Sequence, residues 1–136
     1  MAARRSRTRH VERHRAGVYL KKAAEFLASM RQALEAGRWN AVGLNAVHAA
    51  ISACDAVLVY HTEERSASQD HEAAAYLLAS LTKIPDVKQK AEALRRIVEH
   101  KNLIAYEDRS FSAHEAAEIA KLTERFLRWA QEIVGS

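Results

Sequence analysis

The stretch EHKNLIAYEDRS, residues 99–110, places polar groups where an apolar helix face is due. On a wheel of about 100° per residue, Lys101 points with Val87, Leu94 and Ala105, four residues after Ile97. Asn102 borders the same face beside Val98, and Tyr106 follows one turn beyond it. An ammonium, an amide and a phenol so placed suit a polar site that holds an anion such as a phosphate. The simpler alternative is a helix leaving the core, with Lys101 extending its ammonium into solvent.

A second constellation lies between Trp39 and Tyr60, a span whose one formal charge is Asp55. Asn45, His48, Ser52 and Asp55 fall on one narrow stripe of a helix that is otherwise apolar nearly all round. A buried carboxylate needs a cation or several donors. Lys101 is the expected partner because it sits on the apolar side of another helix; Arg65 and Arg109 are the alternatives. Such a pair is either a structural ion pair or a device that positions groups for a ligand phosphate.

Other chemistry is poorly supported. Arg95 and His100, separated by four residues, form an Arg–x4–His pattern, but the two point about 140° apart on a helix. Among seven histidines, His10 and His14 are four apart in a cationic arm, and none of the other five shows ligand spacing, so no metal is expected. Glycine-rich phosphate loops and Gly-x-Ser-x-Gly elbows are absent, and no cofactor is expected. Cys54, the single cysteine, sits in an apolar run and reads as a small buried hydrophobe. A lone cysteine forms no disulfide within the chain, which fits a reducing cytoplasm.

Five helical segments must position these groups. Apolar periodicity predicts helices from about Val11 or Arg13 to Ala36, from Trp39 to Tyr60, from Asp70 to Leu81, from Asp86 to Glu107 and from Ser112 to Val134. Gly37 ends the first, Asp70 caps the third, Pro85 separates the third from the fourth, and Ser112 with Glu115 forms a capping box on the fifth. HTEERSASQ, residues 61–69, reads as a polar loop. Ala46, Ala49, Ala50 and Ala53 offer a smooth side for close helix approach, and Phe26, Trp39, Phe126 and Trp129 read as core or dimer anchors. Scarce Gly and Pro, four and one in 136 residues, agree with an all-α fold, a single up-and-down bundle of about five helices.

The net charge of +4 is unevenly distributed. Residues 1–15 hold six arginines against Glu12, a local +5, which leaves −1 for the remainder. The chain therefore divides into a basic flexible arm over 1–12 and a helical bundle over 13–136. Arg4, Arg5, Arg7 and Arg9 are candidates to hold phosphates through counterion release, the alternative being a solvated terminus. No apolar segment follows the arginines as in a secretory signal, and the longest apolar region is interrupted by Asn40, Asn45, His48, Ser52 and Asp55, so no membrane span is expected.

Three stretches resemble the HEPN superfamily, helical bundles named for higher eukaryotes and prokaryotes nucleotide-binding. NAVHAAISACDAVLVY resembles its alanine-rich second helix with a polar or acidic residue such as Asp55; RSASQDHEAAAYLL resembles the loop and start of the third helix, where a His often follows a polar pair; KNLIAYEDRSFSAHEAAEIAKLTERFLRWAQEI resembles the C-terminal third. The resemblance covers about residues 18–134. It implies a homodimer, or a unit beside a nucleotidyltransferase partner in toxin–antitoxin or defence systems. Active members are metal-independent ribonucleases with Arg, four to six residues, then His near the end of the fourth helix, and dimerisation joins two copies into one cleft. Here Lys101 stands at the Arg position, Asn102 follows, and Tyr106 stands in place of His. Lysine lacks the bidentate guanidinium fork, and a phenol titrates near ~10 rather than near neutrality.

The expected function is a binding or regulatory module for RNA or nucleotides with a degenerate nuclease cleft, using Asp55, Lys101, Asn102, Tyr106, His48 and Asn45. One alternative is an active metal-independent endoribonuclease acting through Lys101 and Tyr106 or through Arg95 and His100. Another is a structural adaptor that dimerises or binds a nucleotidyltransferase.

Overall fold

Helix α2, Trp39–Thr62, is buried on nearly every side, from Val42 through Val59, and it packs against all four other helices. A computed structural model describes residues 7–68 and 71–135. Around α2 stand α1 (Ala16–Glu35), α3 (His71–Ala79), α4 (Val87–Tyr106) and α5 (Ala113–Val134), an all-α bundle of five helices. The five expected segments therefore form. Asp70, the expected cap of the third, lies outside the described residues.

The outer helices each bury one stripe. In α5 the buried set is Ala116, Ile119, Ala120, Thr123, Phe126, Leu127, Trp129 and Ala130, the three-and-four spacing of an amphipathic helix. Its start is fixed by the expected capping box: the Glu115 backbone N–H donates to Ser112 Oγ, while the Glu115 carboxylate accepts from the Ser112 backbone N–H. Arg109 grips that same carboxylate from the preceding loop, and together these bonds hold the Glu115 carboxyl down to about 2. Phe126 and Trp129 are core residues, Trp39 and Phe26 pack partly buried against it, and the Trp129 indole N–H donates to the Pro85 carbonyl.

The alanine stripe of α2 is buried as expected, and Gly43 extends the close approach. A Cβ at Gly43 would lie 2.3 Å from Ile104 Cδ1 and 3.0 Å from Phe111 Cε2. The absent side chain thus seats the last turn of α4 and the start of the α4–α5 loop. Asn40 secures that loop by accepting from the Phe111 backbone N–H at 2.8 Å. Beyond Val98, α4 runs off the core: Leu103 and Ile104 are half-buried and Ala105 is exposed. The wheel aligns Ala105 with the core, yet Ala105 is exposed, because the fully buried residues of α4 end at Val98.

Residues of the expected arm and of the expected loop pair as a small sheet. Thr8–His10 (β1) pairs antiparallel with Glu64–Ser66 (β2), with Arg9 opposite Arg65. A single 3-10 turn, Arg13–Arg15, leads into α1. Glu63 makes the junction with a left-handed backbone, φ 57°, and its carbonyl accepts from the Val11 N–H while its carboxylate accepts from the Arg13 N–H. Arg7 and Arg9 are exposed; Arg4 and Arg5 lie outside the described residues.

Candidate functional site

The end of α4 and the start of α3 enclose a cleft of about 240 Å³. From α4 it is lined by Val98, Glu99, Lys101, Asn102 and Tyr106, and from α3 by His71 and Glu72. Three of the residues singled out by type and spacing therefore share one concavity. Lys101 is half-buried, Asn102 is exposed, and the Tyr106 ring is 83% exposed at the margin. Helical spacing explains the grouping: residues 98, 102 and 106 stack four apart, and 101 sits beside 98.

Lys101 does not meet the carboxylate expected for it. Its Nζ lies 3.3 Å from His71 Nε2. The cation within salt-bridge distance of Asp55, among the described residues, is Arg65 of β2 at 3.6 Å. Arg65 lies against the Tyr19 ring, 5.8 Å from its centroid, and its buried Nε has no hydrogen-bond partner. Burial pushes the Asp55 carboxyl up from 3.8 to about 7, against the opposing pull of Arg65 and Lys22. Asp55 thus is a buried carboxylate facing the half-buried Arg65 of β2 and the exposed Lys22 of α1, apart from the residues lining the α3–α4 cleft.

The rest of its stripe divides as well. Asn45 donates to the Ala41 carbonyl one turn back in α2, and His48 is exposed and stacked on Phe26, ring centroids 5.2 Å apart. Neither lines the cleft. Cys54 is fully buried, and burial first, then the charge of Asp55, drives its thiol upward, as suits an inert packed side chain.

The Arg95–His100 pattern is also separated. Arg95 reaches Glu92 at 2.8 Å and Glu72 at 4.0 Å. His100 Nδ1 lies 2.6 Å from the Arg96 carbonyl, and its ring meets Phe111 edge-on at 5.3 Å. His100 is half-buried, with the Phe111 ring against it.

His71 and Glu72 are the cleft residues that spacing within one helix does not reveal. The only sequence signal for His71 is its place after the polar pair in RSASQDHEAAAYLL. Among the described residues no group of three or more His, Cys, Asp or Glu side chains is disposed to hold a metal ion.

With this geometry in hand, the comparison with known families is specific. The HEPN domain model matches residues 16–133, nearly all of the bundle, and the chain belongs to the HEPN family. No curated protein matches it. The family defines a nucleotide-binding or ribonuclease-like module in general.

Proposed function

We propose that the chain is an RNA- or nucleotide-binding regulatory module of HEPN type, with the α3–α4 cleft as its phosphate site and the family's nuclease motif degenerate. The observation that supports this most is the convergence of Lys101, Asn102 and Tyr106 in one cleft at the motif position. Lys101 supplies charge, Asn102 supplies amide hydrogen bonds, and the exposed Tyr106 ring offers a face on which a base can stack. What α4 lacks is an imidazole aligned with Lys101, the group best suited to proton transfer near neutral pH. In this reading the domain works in the cytoplasm as a homodimer, alone or beside a nucleotidyltransferase in a toxin–antitoxin or defence system. The basic arm over 1–12 adds salt-dependent affinity to the bundle over 13–136, and Asp55, Asn45 and His48 serve its architecture rather than the ligand.

One observation favours a second reading, the metal-independent endoribonuclease. His71 brings to Lys101 an imidazole from α3, so an acid–base group stands 3.3 Å from the cation. Incubating the purified protein with mixed single-stranded RNA separates the two. Binding that weakens about tenfold or more on Lys101→Ala, without cleavage above that of the variant, is the expected result; a charged contact is worth roughly this factor. Cleavage abolished by both Lys101→Ala and His71→Ala would establish the nuclease instead. Absence of RNA and nucleotide binding would leave the structural adaptor.

A further inference from the structure

Within the RNA- or nucleotide-binding reading, on which this inference rests, we propose that the α3–α4 cleft takes a terminal phosphate monoester, on a mononucleotide or an RNA end, in preference to an internal phosphodiester.

Size and the placement of donors argue first. At about 240 Å³ the cleft is smaller than the ~300–1,000 Å³ that holds a drug-sized ligand. It accommodates one phosphate and its sugar, not a run of nucleotides. Lys101 Nζ and His71 Nε2 lie 3.3 Å apart, close enough for both to meet oxygens of one phosphate.

Charge argues second. The His71 Nε2 donates to an oxygen in its N–H tautomer, while the Lys101 ammonium beside it carries a full positive charge. A cation attracts a dianion about twice as strongly as a monoanion at the same distance. A phosphate monoester approaches −2 above its second pKa of about 6, whereas a diester in a chain stays at −1.

The rim argues third. Glu72 from α3 and Glu99 from α4 line the same cleft. A backbone that entered and left would pass these carboxylates with a charge on each side. An end passes them once, and its sugar hydroxyls can donate to them. Arg95, 4.0 Å from Glu72, partly offsets that carboxylate. Among the described residues, the other charged or titratable groups that line the cleft are Glu72 from α3 and Glu99 and Tyr106 from α4, with Arg95 4.0 Å from Glu72.

The test uses the full chain and five probes: adenosine, adenosine 5′-monophosphate, and one ten-nucleotide RNA bearing a 5′-phosphate, a 3′-phosphate or hydroxyls at both ends. The expected result is about tenfold tighter binding of a phosphorylated end than of the hydroxyl-ended RNA, with no measurable binding of adenosine. The two phosphorylated forms distinguish a 5′ from a 3′ end, and the mononucleotide distinguishes a free ligand from RNA. The preference should fall to near unity in Lys101→Met and His71→Asn and persist in Lys101→Arg, whose retained preference shows that the fold tolerates change there. Equal binding of all three RNAs by the wild type, weakened equally by Lys101→Met, would overturn the end preference while leaving RNA binding intact. No binding of any probe would overturn both.

Discussion

Asp55 shows how a single buried carboxylate shapes behaviour without touching the cleft. Burial raises its carboxyl from 3.8 to about 7, so the folded state binds this proton more tightly than the unfolded chain does. Its contribution to stability is fully present below about pH 3.8 and disappears as pH rises through about 7. The corresponding loss is about 2–3 kcal/mol between pH 5 and pH 8, from ~1.4 kcal/mol per pH unit. Urea unfolding at both pH values should show this loss in the wild type and much less of it in Asp55→Asn; an equal loss in the variant would place its cause elsewhere. The sequence exposes the need for a counter-charge, because a lone carboxylate in an apolar helix demands one. It does not expose which cation answers. Helical direction favoured Lys101, but Arg65 sits in a stretch whose polar composition carries no periodicity, so the strand that brings it to Asp55 could not be read.

At the scale of elements, legibility follows length. The long amphipathic helices announce themselves by spacing, and the start of α5 by Ser112 and Glu115. The two three-residue strands β1 and β2 have too few residues to show alternation and exist because each completes the other's backbone hydrogen bonds. The candidate site is half legible for the same reason: Lys101, Asn102 and Tyr106 belong to one helix, while His71 arrives only through the packing of α3 on α4. Gly43 governs how that end of α4 is held. Gly43→Ala should destabilise the bundle by about 1–2 kcal/mol, since its methyl overlaps Ile104 and touches Phe111. Adding Ile104→Ala should cost less than the two single changes together, because the second makes room for the first; strict additivity in thermal unfolding would show that the two positions are uncoupled.

At the scale of the molecule, β1 ties the described part of the basic arm to β2, just beyond α2, so Arg7 and Arg9 sit at a defined place on the bundle. Replacing Arg4 and Arg5 by alanine should lower the salt slope of RNA binding by about 0.7 per arginine, if both meet phosphate on a single strand. Titration at several potassium chloride concentrations measures this; an unchanged slope would mean that the arm does not contact RNA. The hydropathy of α2 has its own bearing. It is long and apolar enough to cross a membrane, yet 72% of its most apolar window is buried inside the bundle, as befits a core helix. Its most extensive partner, α1, is translated before it, but α3, α4 and α5 follow it, and α5 comes last. At about 5–20 residues per second the ribosome leaves α2 without that partner for several seconds. During that interval the faces of α2 that α3, α4 and α5 will cover stand open, an apolar surface of the kind that draws unfinished chains into aggregates.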